Sequence, residues 1–137
     1  MEIDKLAIAM TTSITNGIKV SVTTQFEPRH SSPAHGKHVH SYHITIENNS
    51  DETVQLLTRH WIIMDSDLNI REVRGEGVIG EQPIIPPGGS HSYSSWTPLK
   101  TPIGKMSGSY QMRTLSNHSL FDVRVPVFVL STNGVNN

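Results

Sequence analysis

The 137-residue chain contains no cysteine. A disulfide framework and a thiolate metal site are both ruled out by that absence, which fits a reducing compartment. An excess of charge is also missing: eleven Lys and Arg stand against twelve Asp and Glu, for a formal net charge of -1. Such balance leaves no electrostatic footprint for nucleic acid or an anionic membrane surface. Long apolar runs are lacking as well. The opening MEIDKLAIAM carries Glu2 and Asp4, and its apolar run extends only from Leu6 to Met10. A signal peptide needs a basic start and a longer apolar stretch. No segment approaches the length of a membrane span. Asn48-Asn49-Ser50 and Asn117-His118-Ser119 match the glycosylation pattern, which has no consequence without secretion. The expectation is a cytoplasmic protein with no nucleic-acid partner and no membrane insertion.

Helical periodicity is absent too. No window sustains an i, i+3, i+4, i+7 apolar stripe, and Gly and Pro interrupt the chain too often for helices of ordinary length. What is present is period two. Ile18, Val20, Val22, Thr24 and Phe26 alternate with polar residues after the turn signal Asn16-Gly17. His38, His40, Tyr42, Ile44 and Ile46 alternate with Val39, Ser41, His43, Thr45 and Glu47. TVQLLTRHWIIM, IREVR, HSYSSW, the Met106–Met112 stretch and FDVRVPVFVL supply further strands. Pro126 interrupts the last of these and predicts an edge position or a bulge. About eight short strands predict a single all-β domain, an antiparallel sandwich or barrel of 7–9 strands. A chain of this length buries roughly two-thirds of its unfolded surface, enough for a core without staples. The core is expected over residues 10–131, with residues 132–137 a flexible tail.

Known catalytic signatures do not occur. There is no G-x-S-x-G, no H-E-x-x-H and no G-x-x-x-x-G-K-[ST]. Triads are assembled in space, so this alone does not exclude an enzyme. It points to a non-enzymatic binding module.

One stretch does resemble a cofactor signature. In REVRGEGVIGEQPIIPPGG, Gly75, Gly77 and Gly80 spell G-x-G-x-x-G. That fingerprint works only where a strand feeds a glycine turn and a helix starts with its N-terminus on the pyrophosphate. Pro83, Pro86 and Pro87 follow at once, and a proline within a helix costs about 3 kcal/mol, so no such helix forms. Two readings remain: a structural crossing that needs positive φ and close backbone approach, or an anion-binding nest of free amides beside Arg59, Arg71 or Arg74.

A second stretch is rich in histidine. His38 and His40 share one strand face at ~7 Å spacing, with His35 in the preceding polar loop PRHSSPAHGK. Such a set could chelate a divalent cation of borderline softness. His43 points to the other face, and no carboxylate is obviously placed to complete the set. Trp61 is expected in the core, with its neighbour His60 partly buried on the opposite face.

Taken together, RHWIIMD (59–65), EVRGEGVIGEQPIIPPG (72–88), PLKTPIGKMSGSYQM (98–112) and FDVRVPVFVL (121–130) resemble the ApaG family, also called CorD. The resemblance spans roughly residues 18–130. It implies an immunoglobulin-like, fibronectin type III-like β-sandwich in a small bacterial cytoplasmic protein linked to cobalt and magnesium efflux or tolerance. The gene in that family often lies beside one for a diadenosine tetraphosphate hydrolase. Similar eukaryotic domains, in an F-box protein and a polymerase-interacting protein, imply protein–protein binding. No catalytic residue set comes with the family. Its glycine motif, read there as a nucleotide or pyrophosphate site, falls on Gly75, Gly77 and Gly80. The family's strand at 38–46 usually carries aromatic or aliphatic residues where this chain has His38 and His40, so a histidine metal site would be peculiar to this chain. Three functions follow as expectations. The first is a protein-interaction module, with homodimerisation through exposed sheet edges as one form. The second is a binder or hydrolase of phosphorylated nucleotides at residues 75–80 with Arg59 and Arg74. The third is a divalent-metal binder using His38, His40 and His35.

Overall fold

The computed structural model describes residues 9–132. Nine strands run through them: β1 (Met10–Thr15), β2 (Ile18–Phe26), β3 (His38–Asn48), β4 (Val54–Asp65), β5 (Ile70–Glu76), β6 (Ile84–Ile85), β7 (Ser90–Leu99), β8 (Ile103–Thr114) and β9 (Leu120–Ser131). Among the described residues the only helical pieces are two 3₁₀ turns, Pro28–His30 and Pro33–His35. Among the described residues no helix is long and apolar enough to cross a membrane. The fraying expected of residues 132–137 falls, from residue 133 onward, outside the described residues.

All pairings between strands are antiparallel, and they form two sheets ordered β1-β2-β3-β7 and β5-β4-β8-β9, with β6 on β4. Leaving out β1, this is the immunoglobulin-like, fibronectin type III-like sandwich expected from the sequence. The alternating residues named above supply the core. Ile18, Val20 and Val22 of β2, Ile44 and Ile46 of β3, Trp61 and Ile63 of β4 and Tyr110 of β8 are all buried between the sheets. Trp61 packs edge-on against Tyr42, Tyr110 and Phe128 at centroid distances of 5.6, 6.2 and 6.1 Å. Tyr93 and Tyr110 share a hydrogen bond at 2.5 Å that ties the sheets across the core. Burial pushes both phenols above their ordinary pKa range, so both remain protonated.

Pro126 meets both expectations at once. It lies in β9, an edge of the second sheet, and the register of β8 against β9 slips there: Met106 pairs with Phe128, but Gly108 pairs with Val125. The slip keeps Val123, Val125, Phe128 and Leu130 buried while turning Val127 and Val129 outward.

Two strands were not anticipated. Strand β1 is polar and half-exposed, and β6 has only two residues. β1 pairs with β2 yet also reaches the other sheet: Ser13 Oγ donates to the Arg124 carbonyl at 2.7 Å, and the Arg124 amide donates to Thr15 Oγ1 at 3.1 Å. These side-chain bonds cover part of the β9 edge, which would otherwise be open to pairing with another chain.

Candidate functional site

The glycine stretch is built around a bulge. Opposite β8 the register of β4 slips between Leu56 and Thr58, leaving Leu57 as the extra residue. Its carbonyl turns toward the chain leaving β5 and accepts from the Gly77 amide at 2.8 Å and from Gln82 Nε2 at 2.9 Å. A tight turn follows. The Val78 amide donates to the Glu81 carbonyl at 2.8 Å, and the Glu81 amide donates back at 3.0 Å. Ile79 and Gly80 between them have φ of 47° and 74°, the positive values of a two-residue hairpin turn. Val78 is 1% exposed and plugs this corner into the core.

Arg59 lies on the inner face of β4, in register with Gly75. A Cβ at Gly75 would sit 2.8 Å from its guanidinium, so the missing side chain makes room for the arginine. Arg59 Nη1 donates to the carbonyls of Glu76 and Gly77 at 3.0 and 2.9 Å. Arg71, also inward on β5, crosses to β7 and donates to Thr97 Oγ1 at 3.2 Å and to the Pro98 carbonyl. Arg74 is on the outer face, 3.5 Å from Glu72, which also accepts from His60 Nε2 at 2.6 Å. The His60 bond, more than the Arg74 charge, holds the Glu72 carboxyl below its ordinary pKa.

The five residues expected to hold an anion are thus not gathered into one concavity. Arg59 is engaged by loop carbonyls, Arg74 points the other way, and the amides of Gly77, Val78 and Glu81 donate to backbone carbonyls, which leaves only those of Ile79 and Gly80 at the tip of the turn without an acceptor among the described residues. The geometry favours architecture. Millimolar ATP, diadenosine polyphosphate or pyrophosphate should accordingly leave the melting temperature unchanged. A ligand at a hundred times its dissociation constant would add about 2.7 kcal/mol and a shift of several degrees, which would reinstate an anion site.

The histidines are divided between two environments. His38 and His40 face the core with Tyr42, Ile44 and Ile46, at 7% and 1% exposure. His38 Nδ1 and His40 Nε2 are buried without a hydrogen-bond partner. The ring of His40 lies 5.4 Å from that of Phe26. Burial, helped by the nearby His38, lowers the His40 pKa from 6.5 to about 4, against an upward pull from Glu27. His35 does not join them. It sits exposed in the Pro33–His35 turn, with Nδ1 bonded to Ser32 Oγ at 2.7 Å. Among the described residues no group of three or more His, Asp or Glu is placed to hold a metal ion. The expected triad is corrected to a buried histidine pair. The period-two pattern that put His38 and His40 on one face also put that face in the core.

The outer face of the second sheet carries an apolar feature that no local motif announces. Met64 pairs with Ile70 on one side and Lys105 on the other, and Lys105 pairs with Val129. Ile70 and Val129 are 60% and 57% exposed, and Val127, Ile103 and Leu68 are exposed at the same end. Val127 and Val129 lie in the apolar run after Pro126, and the register slip there turns them out.

Comparison with known proteins agrees with this architecture. The family model of the ApaG domain matches residues 28–114. Protein ApaG of Rhodospirillum centenum is 46% identical over 123 residues, covering 90% of this chain and 94% of the relative. Protein ApaG of Bradyrhizobium sp. is 48% identical over 120 residues, covering 88% and 92%. The crystal structure of the putative ApaA protein of Bordetella pertussis superimposes with a TM-score of 0.80 at 39% identity, covering 83% of this chain and 92% of that one. On the family model, the level of identity and the shared sandwich, the chain belongs to the ApaG family.

Proposed function

We propose that the chain is a non-enzymatic protein-interaction module that docks through the outer face of its second sheet. The observation that carries this reading is the row of exposed Ile70, half-buried Met64, Lys105 and exposed Val129, continued by exposed Val127, Ile103 and Leu68. Apolar patches of this kind on a small protein mark interaction sites. Leu68 strengthens the case. It is 75% exposed and held at φ 71° in the turn between β4 and β5, a conformation unfavourable for a bulky side chain. Conformational strain together with exposure of a large aliphatic group is accounted for by use in binding.

Lys105 sits in the middle of the row and has no ion-pair partner among the described residues. The partner surface that fits is apolar with an acidic side chain opposite Lys105. A two-fold dimer through the same patch would bring two Lys105 ammonium groups together, which disfavours self-association there. The cobalt and magnesium tolerance implied by family resemblance then depends on a partner protein.

Ile70→Lys combined with Val129→Lys should abolish capture of the partner, and Lys105→Glu should weaken it at least tenfold, about 1.4 kcal/mol. Trp96→Ala, on the opposite sheet, should capture it as wild type does. Equal capture by all variants would overturn the reading, as would a light-scattering mass twice the 15.2 kDa of the monomer that Ile70→Lys with Val129→Lys returns to the monomer value.

A further inference from the structure

The outer face of the first sheet has a different chemistry. Exposed Met10 and Ile14 lie at its far edge on β1, and the exposed large apolar residue on β3 and β7 is Trp96 of β7, 50% exposed. Trp96 pairs with Ser41 of β3, and Ser41 pairs with Gln25 of β2. In the next row His43 pairs with Ser94. These side chains and Glu27 line a groove of about 280 Å³. The ring of His30 stands edge-on to Trp96 at 4.5 Å and props the indole from the side of the Pro28–His30 turn.

The polar groups in the groove are held in place. Ser41 Oγ donates to Glu27 Oε2 at 2.6 Å, which fixes the carboxylate and leaves Oε1 free. His43 Nδ1 and Ser94 Oγ are 2.8 Å apart, which fixes that ring and leaves Nε2 for a ligand. The Gln25 side-chain amide has no partner among the described residues and offers both a donor and an acceptor.

Charge narrows the ligand class. No Lys or Arg lines the groove, and Glu27 would repel an anion, so phosphates and carboxylates are disfavoured. A cation would meet Glu27 and the indole, but it would leave the remaining donors unused. A hydroxyl group both donates and accepts, which suits the mixed set on Gln25, Glu27 and His43. The C–H face of a sugar ring carries partial positive charge and packs on the negative face of an aromatic ring. We propose that this groove binds a neutral saccharide, with one pyranose ring stacked on Trp96 and its hydroxyls bonded by Gln25, Glu27 and His43.

The test uses maltotriose, cellotriose and triacetylchitotriose as probes, followed in the full chain by the two indole N–H resonances and, in every variant, by the backbone amides of Ser41 and Ser94. Trp96 should shift with a dissociation constant on the order of 1 mM for at least one of them, as suits an open site with few contacts. Trp61, 3% exposed, should not shift and serves as the internal control. Trp96→Ala should reduce affinity at least tenfold, and Gln25→Ala should reduce it severalfold, both with unchanged thermal midpoints. Absence of any shift at tens of millimolar saccharide would overturn the proposal. Binding that survives Trp96→Ala, or displacement of the sugar by equimolar tetramethylammonium, would do the same.

Discussion

Replacing Gly77 with alanine should lower the melting temperature by about 10 °C, whereas Gly80→Ala should cost only a few degrees. Both glycines belong to the same G-x-G-x-x-G pattern and both have positive φ, 63° and 74°. A left-handed conformation alone costs a non-glycine residue roughly 1–2 kcal/mol, and that penalty is common to both substitutions. What separates them is the space around Cβ. At Gly77 it would lie 2.2 Å from the Glu81 carbonyl oxygen and 2.9 Å from its carbon, and these are backbone atoms fixed by the Val78–Glu81 turn. Relieving that overlap would pull the Gly77 amide from the Leu57 carbonyl and loosen buried Val78. Forced overpacking adds about 1–3 kcal/mol, so the total is about 3 kcal/mol or more. At Gly80 nothing lies within 4 Å. A cofactor loop would behave differently, because its glycines admit a ligand and their substitution reduces binding more than stability. Thermal unfolding of the two variants side by side decides the matter. Equal melting temperatures would mean that the close approach at Gly77 does not matter to the fold.

The contrast between the two glycines also shows what could be read from the sequence. Strong alternation along 18–26 and 38–46 gave both strands and their buried faces, because period two is a local property of the chain. Three prolines after Gly80 removed the cofactor helix for an equally local reason. The destination of the Arg59 guanidinium was not local. It depends on a bulge at Leu57 and on a turn about twenty residues further along, and nothing in either segment announces their contact. His38 and His40 were placed on the correct face but given the wrong environment, since a polar residue on a core face breaks the rule that such faces are apolar. The outward turn of Val127 and Val129 needed the exact register of β9 against β8. Pro126 announced a bulge without saying which residues it would expose. Strand β1 was invisible because MTTSIT is short and its Met10–Thr12–Ile14 face is turned to solvent, and its place is set by partners on two other strands.

The buried histidine pair leads to a pH dependence. His40 should make the protein lose stability as the pH falls below about 6.5, with about 2 kcal/mol gone by pH 5 and about 3 kcal/mol by pH 4. The direction follows from the pKa order. In the unfolded chain the imidazole titrates near 6.5, and in the folded chain near 4. Between these values the unfolded state binds a proton that the folded state refuses, so acid favours unfolding. Above 6.5 both states are neutral and the effect vanishes; below 4 both are charged and the loss levels off. Desolvation is the leading cause: the ring is 1% exposed against Phe26, and its Nε2 has no acceptor to share a proton with. His38 adds repulsion on the same inner face, while Glu27 partly compensates. His40→Leu keeps apolar volume and removes the titrating group. Urea unfolding at pH 7 and pH 5 should show the wild-type midpoint falling by about 1 M more than that of the leucine variant. Carboxylates titrate equally in both proteins, so the difference between the two curves isolates His40. Parallel curves would mean that the ring accepts its proton in the folded state, and the buried nitrogen would then have a partner such as an ordered water.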